Sequence, residues 1–405
     1  MINKISFKNY KLFKEEQTLE LKPITILIGK NNSGKSAVAK LPTLISGSLS
    51  GEFDEPVRWE NEGIELGTEI RDLIYEKSAS GDLIFRIDNN TKFLKFSLTL
   101  IKEENDTFSS MISYWNYNDE LELKFNFSKR IYEDVKSSIE LDCIFKGILL
   151  IEIINNLDIN IPKLDDFNFN FDYIGAYRII PDNKGYEKPK DKIIEKVGIR
   201  GEQSYSILVN DFLNDDKLLL SKITNWYKNN FEGWGINIDS SDSKRNLYYF
   251  DLERKIPRKT SVSLKFVGQG MGQILPLVTR AFMNVEKPML TIIEEPELHL
   301  HPSAHGHLAE LFVSSLENNN KNYLIETHSE NFILRLRRLI AEGKYAFFTE
   351  EKIKIYYINY DEQNNESVLE EVFVDRNGNV KNWPKKIFSE SLDELIAIKN
   401  AQKQS

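Results

Sequence analysis

The stretch Ile24-Thr-Ile-Leu-Ile28-Gly29-Lys-Asn-Asn-Ser-Gly-Lys35-Ser36 decides the fold, and the helical Ser36-Ala-Val-Ala-Lys-Leu follows it directly. A continuously apolar run of this length suits a central strand covered on both faces. A glycine-rich turn between such a strand and a helix leaves backbone N–H groups free to surround phosphate oxygens, with the positive helix end behind them. Gly29, Lys30, Asn31, Asn32, Ser33, Gly34, Lys35, Ser36 and Ala37 are therefore the candidate nucleotide-binding residues. Lys35 has the reach for the β- and γ-phosphates, and the Ser36 hydroxyl is a ligand for Mg2+. The full G-x-x-x-x-G-K-[ST] spacing in a strand–loop–helix context sets this segment apart from a chance Gly/Ser-rich loop.

Bulk properties frame that reading. With 405 residues the chain has room for two or three lobes, and 41% hydrophobic against 28% charged residues supplies a substantial core. No run of about 18 apolar residues occurs, so no membrane span is expected. The first residues lack a signal-peptide hydrophobic region, which makes a cytoplasmic location the expectation. A single cysteine, Cys143, leaves no internal disulfide framework and no cysteine-based zinc site. The net charge of −9 argues against a uniformly basic nucleic-acid coat. Local basic strips remain at Lys188, Lys190 and Lys192, at Arg335, Arg337 and Arg338, and at Lys381, Lys385 and Lys386. Each reads first as solvated surface, and nucleic acid stays open as a partner.

Polar–apolar alternation at 4–8 and 18–22 predicts half-buried antiparallel strands. From 51 to 254 the chain reads as a β-rich arm with a helical insertion, including strand patterns at 82–87, 93–101 and 120–127 and helical periodicity at 204–227; a hairpin-like stretch at 247–267 runs from it into the next part. The next part alternates cleanly: helix 273–285, strand 289–293, helix 303–317, strand 322–326, helix 330–342. Such alternation describes a parallel α/β sheet. Residues 1–50 and 255–350 thus form the head, and 351–405 complete it with a strand pair and a helix. No heptad pattern persists long enough for a long coiled coil.

A phosphate loop needs metal and water management elsewhere. Pro288-Met-Leu-Thr-Ile-Ile-Glu294-Glu295 is a buried strand ending in two adjacent carboxylates, which alternation sends to opposite sides. By analogy with this class of motif, Glu294 serves the metal together with Ser36, and Glu295 is the general base. Upstream, Gly268, Gly270 and Gly272 alternate ahead of Gln273 and an apolar helix, allowing close backbone approach and favouring an anion at the helix start. Downstream, His328 follows the strand 322–326, placed to hydrogen-bond a γ-phosphate or to hold water and base in register.

In this order of motifs the chain resembles the ABC-type ATPases of the SMC/RecF/OLD kind. The resemblance implies an α/β fold: a P-loop ABC-type ATPase head with an antiparallel β subdomain and a mixed α/β insertion. It implies ATP and Mg2+ as cofactors, hydrolysis of ATP, and catalytic roles for Lys35, Glu295 and His328. Gly268, Gly270, Gly272 and Gln273 become the signature that meets the γ-phosphate bound to a second subunit, and 298–302 the dimer-facing loop. The nucleotide is then sandwiched in a homodimer, with higher assembly open. Gly63-Ile-Glu-Leu-Gly67, Asp172-Tyr-Ile-Gly-Ala-Tyr-Arg178-Ile-Ile-Pro181, Val197-Gly198-Ile-Arg-Gly201-Glu202 and Asn382-Trp383-Pro384 resemble stand-alone ATPase subunits of bacterial anti-phage defence systems. That branch implies a dimeric switch controlling a separate effector, a nuclease or toxin. The alternative is an SMC/RecF-like DNA repair or chromosome-maintenance ATPase.

The chain departs from the family pattern at three points. Glycine stands where a signature serine is common, glutamate where the metal residue is commonly aspartate, and no Q-loop glutamine is placed. The five histidines all fall between 299 and 328. His299, His301, His305 and His307 suggest a metal cluster, but a helix starting at Pro302 would point residues two apart away from each other, so packing roles are preferred.

Overall fold

The computed structural model describes residues 2–103, 107–155, 159–167, 170–181, 185–189, 194–214, 216–256, 258–318, 320–384, 387–388 and 390–404. Lys190, Lys192, Lys385 and Lys386 of the basic strips lie outside the described residues.

Alternation along the core strands explains the layering. Ile26 and Ile28 of the strand Ile24–Gly29 face one hydrophobic cluster, and Leu27 faces another. The strands Met289–Glu294 and Lys321–Glu326 divide likewise, with Ile292 and Leu324 on one side and Ile293, Tyr323 and Ile325 on the other. Strands buried on both faces in this way belong to a parallel sheet covered on both sides. One side is covered by the helix Lys35–Ser48 and an antiparallel sheet, the other by the helices Gln203–Leu213, Leu218–Asn230, Leu275–Phe282, Pro302–Ser314 and Glu330–Glu342.

The head sheet has seven strands, in the order Asn170–Ile174, Met289–Glu294, Lys321–Glu326, Ile24–Gly29, Ile353–Asp361, Glu366–Val374 and Val380–Lys381. The first five are mutually parallel, and the last two turn back antiparallel. The antiparallel sheet has eight strands, with Lys4–Lys8 and Gln17–Glu20 at one edge. Lys4–Lys8 pairs with Leu83–Asp88, so the N-terminal hairpin and the arm form one continuous sheet. Sequence patterns locate most of these strands within two residues, but Phe108–Tyr117 has no clean alternation and was not anticipated. It is buried on both faces near its end, where Trp115 donates its indole N–H to the Ile148 carbonyl (3.0 Å).

One strand crosses the expected domain division. Asn170–Ile174 lies within the segment 51–254 read as arm and insertion, yet it pairs in parallel with Met289–Glu294 and forms the edge of the head sheet. A buried charge pair secures it. Asp172 is 1% exposed and accepts the backbone N–H groups of Val197 (2.9 Å) and Gly198 (3.4 Å). Arg280, fully buried on the helix Leu275–Phe282, lies 3.7 Å from the Asp172 carboxylate and donates to the Glu195 carbonyl (2.8 Å) and the Thr291 hydroxyl (3.3 Å). Burial pushes the Asp172 carboxyl pKa up, and Arg280 opposes that shift. The rest of the insertion carries two helices and a small four-stranded sheet of Tyr186–Glu187, Gly235–Asp239, Leu247–Arg254 and, just beyond it, Thr260–Ser263.

Among the described residues the longest helix, Glu390–Gln404, spans 15 residues, and no helix is long and apolar enough to cross a membrane. The arginine strip is largely satisfied internally: Arg335 pairs with Glu310 (2.5 Å), Arg338 with Glu342 (2.6 Å), and Arg337 donates to the Gly378 carbonyl (2.8 Å). Replacing Arg280 with Met leaves Asp172 buried without its cation. The expected cost is about 3 kcal/mol or more, read as a lower midpoint in chemical denaturation, whereas an unchanged midpoint would remove the pair from the scaffold.

Candidate nucleotide site

Parallel strands deliver their C-terminal ends to one edge, which is where α/β sheets bind ligands. Here that edge gathers Gly29, Glu326, Glu294 and Gly175, because the strand order runs Asn170–Ile174, Met289–Glu294, Lys321–Glu326, Ile24–Gly29.

The loop geometry explains its glycines. A Cβ on Gly29 would stand 2.6 Å from the Ile358 carbonyl oxygen, so the neighbouring strand admits nothing larger. Gly34 adopts φ +100° at the start of the helix Lys35–Ser48, a left-handed conformation natural to glycine. The Ser367 hydroxyl donates to the Ser33 carbonyl (2.7 Å) and braces the loop from the C-terminal hairpin. Lys30, Asn31, Asn32 and Ser36 are exposed, so the cradle opens to solvent. Lys35 is only 4% exposed, and its ammonium donates to the Lys30 carbonyl (2.8 Å). Burial holds its pKa below the ordinary value, opposed by the nearby Glu326 and Glu295.

The acids are arranged differently from a simple alternating pair. Glu294 ends its strand, and the Tyr173 hydroxyl donates to its Oε1. Burial, followed by the Glu294 charge, raises the pKa of that phenol far above its usual value. Glu295 leaves the strand in a left-handed conformation (φ +42°), an uncommon state for a residue with a Cβ. The turn, rather than the pleat, separates the two carboxylates. Its backbone is held on both sides: Glu295 N–H donates to the Glu326 carbonyl (2.8 Å), and Arg178 grips the outgoing chain. Arg178 donates from Nη1 to the Gly175 (3.1 Å) and Glu294 (3.2 Å) carbonyls and from Nη2 to the Glu295 carbonyl (3.0 Å). Burial pushes its pKa down to about 10, against the attraction of the three nearby glutamates. The loop 175–178 follows the edge strand and lies beside the acidic turn.

Sequence reading passed over Glu326. This residue is 4% exposed, and the Ser36 hydroxyl donates to its carboxylate at 2.9 and 3.2 Å. Lys35 Nζ lies 3.9 Å from its Oε1. Burial and the Glu294 charge push its pKa up to about 7, with Lys35 and Ser36 pulling the other way. The signal was present as a charged residue at the tip of a correctly read strand, just before Thr327-His328; only the strand order reveals that it faces Ser36. Glu297, also passed over, accepts the His328 backbone N–H (2.6 Å), while its other oxygen is buried without a partner. The His328 ring stands at the surface, with its pKa lowered by burial of part of the ring and then by Lys35.

The signature lies apart from this cluster. Gly268 and Gln269 are exposed, and a Cβ on Gly268 would meet nothing within 4 Å. Gly270, Gly272 and Gln273 are buried inside a helix that begins at Gln269, four residues before the expected start at 273. Glycine is accommodated there because a Cβ on Gly270 would stand 2.4 Å from the His299 carbonyl oxygen. Two of the histidines have structural roles: His301 Nδ1 caps the helix Pro302–Ser314 by accepting the Ser303 N–H (3.3 Å), and His305 bridges the Ser329 hydroxyl (2.7 Å) and the Leu300 carbonyl (3.3 Å). Among the described residues, no group of three His, Cys, Asp or Glu side chains is posed to hold a metal.

Residues 1–333 match the family model described as AAA ATPase domain, and residues 349–398 match one described as Protein of unknown function (DUF3696). An "ATP/GTP phosphatase" of Helicobacter pylori is 25% identical over 379 residues, covering 90% of this chain and 94% of that protein. Similar solved structures include an SMC head domain from Thermotoga maritima, 11% identical with a TM-score of 0.43, covering 92% of this chain and 99% of that one. An SmcHead bound to the C-winged helix domain of ScpA is also 11% identical, with a TM-score of 0.49 and coverage of 92% and 98%.

Arg178 is a positioning residue for the acidic turn. Replacing it with Gln should lower kcat for nucleotide hydrolysis by about 10- to 100-fold while KM changes little, because geometry is lost and phosphate contacts are not. A rise in KM at constant kcat would contradict that role. With the complete phosphate loop, the braced acidic turn and a family match over residues 1–333, the chain belongs to the AAA ATPase domain family and is an ATP-hydrolysing enzyme whose phosphate loop sits at the edge of a parallel α/β sheet.

Proposed function

We propose that this ATPase works as a nucleotide-gated homodimer in which ATP, clasped between two copies, switches the state of a separate effector. The observation that carries the reading is the separation of the two halves of the site. Gly268, Gln269, Gly270 and Met271 line a cavity of about 710 Å3 with His299, His301 and Ser303, and no residue of Gly29–Ser36 lines it. A glycine-rich segment exposed at its own surface, away from its own phosphate loop, is suited to a nucleotide held by another copy. Phe266, 71% exposed just before it, adds apolar surface to the same region.

In this reading Lys35 and the loop amides neutralise phosphate charge, Ser36 and Glu294 hold Mg2+, Glu295 orients the attacking water and His328 senses the γ-phosphate. The donor set fits such an ion: an exposed hydroxyl and carboxylates beside a phosphate cradle leave coordination sites for phosphate oxygens and water, as Mg2+ prefers. Bound there, the ion supplies charge neutralisation across the phosphates. Catalysis of this kind is mostly positioning and electrostatics, so closure of a dimer can gate it. Control of a nuclease or toxin in anti-phage defence, in the cytoplasm, rests on the resemblance of Gly63–Gly67, Asp172–Arg178, Val197–Glu202 and Asn382–Pro384 to defence ATPases.

Experiments on the purified protein and in cells test the proposal. Glu295→Gln should slow phosphate release about 100-fold or more, the scale of a lost general base, and should elute as a dimer with ATP in light-scattering chromatography. A monomer at saturating ATP would remove the sandwich. Lys35→Ala should weaken ATP binding about tenfold or more through loss of a charged hydrogen bond to phosphate, and retained affinity would contradict the loop assignment. In cells, Lys35→Ala should abolish any plaque reduction given by the wild-type gene with its neighbouring genes; a host equally infected with and without the wild type would sink the defence role.

A further inference from the structure

We infer that Glu326 is a carboxylate of the divalent-cation site, acting beside Ser36 from the strand that separates the phosphate loop from the acidic turn. The inference rests on the ATPase reading above and extends it to a residue that the motif analysis left out.

Topology makes the first case. Lys321–Glu326 pairs in parallel with both Ile24–Gly29 and Met289–Glu294, with Glu326 opposite Glu294 on one side and Leu27 on the other. Its terminal side chain thus emerges between the loop that holds phosphate and the acids that manage water. The second case is contact. The only hydroxyl in the loop suited to Mg2+, that of Ser36, donates to both oxygens of Glu326 at 2.9 and 3.2 Å. Glu294, the acid expected in that place, gives its Oε1 to the Tyr173 hydroxyl and makes no contact with Ser36 among the hydrogen bonds of the described residues.

Charge balance makes the third. Glu326 is 4% exposed, yet its nearest cation, Lys35, is 3.9 Å away and donates its hydrogen bond to the Lys30 carbonyl. Burying a carboxylate is costly unless a cation compensates it closely. A divalent ion at the Ser36 hydroxyl would supply that compensation. Mg2+ is commonly held by one or two carboxylates with phosphate oxygens and water, so no larger cage of protein ligands is required.

Mn2+ in place of Mg2+, followed by the electron paramagnetic resonance signal of the free ion, tests this on the full chain saturated with ADP. Glutamine at 326 still accepts the Ser36 hydrogen bond but removes the charge. Glu326→Gln should raise the Mn2+ dissociation constant about tenfold or more, the scale seen when groups of a metal site are changed. In EDTA its affinity for a fluorescent ATP analogue should be unchanged or tighter, since a negative charge near the phosphates is gone. Mn2+ affinity equal to wild type overturns the inference, as does parallel loss of Mn2+ and metal-free nucleotide binding in a folded variant. Should Glu326→Gln not fold, Glu326→Asp decides: it keeps the charge but withdraws the oxygens, so weaker Mn2+ binding supports the assignment and unchanged binding overturns it. Wild type that binds no nucleotide at all would instead defeat the ATPase reading.

Discussion

Backbone hydrogen bonding of Lys321–Glu326 to two parallel neighbours sets the distances on which the site depends. One neighbour carries the phosphate loop and the other carries Glu294 and Glu295. Parallel strands cannot be joined by tight turns, so each crossover takes a helix or a longer insertion and returns the chain to the same edge. Consequently Lys35, Ser36, Glu294, Glu295, Glu326 and His328, drawn from three distant parts of the sequence, converge without any one segment containing the site.

That convergence concentrates like charge, and the surrounding structure is built to contain it. Glu326 lies beneath Ser36 and near Lys35; Glu294 is taken by Tyr173; Glu297 turns to the His328 backbone. Arg178 approaches from the edge strand, but it binds the carbonyls of the acidic turn rather than the carboxylates. Its guanidinium thereby stabilises an uncommon left-handed backbone at Glu295 while adding a positive field. Arg280 and Asp172 hold the same edge strand from below. The chemistry-bearing turn is thus positioned by two buried arginines from different elements, Arg178 through main-chain oxygens and Arg280 through Asp172, the Thr291 hydroxyl and the Glu195 carbonyl.

The antiparallel sheet contributes indirectly. Its apolar face buries the phosphate-loop helix through Val38, Leu41, Leu44 and Ile45, and Phe13 lies against Gly34. A side chain on Gly34 would meet the Phe13 ring at 3.1 Å. The helix start is therefore fixed by the N-terminal hairpin as well as by its own loop. The hairpin after residue 353 fixes the other side through Ile358 and Ser367. The loop is thus flanked on both sides by contacts with a hairpin.

Local chemistry determined much of this protein. Glycine spacing, strand-like apolar runs and the positions of Lys35, Ser36, Glu294, Glu295 and His328 are written in contiguous residues, since phosphate loops and strand tips obey short-range rules. The head's alternating elements were legible for the same reason, from Met289 to Glu342. Tertiary structure alone decided what depends on strand order and on backbone conformation. Asn170–Ile174 joined the head, Glu326 came to face Ser36, and Arg178 closed on the acidic turn. None of these contacts has a periodicity to announce it, because each joins residues more than a hundred positions apart through the pairing of a parallel sheet.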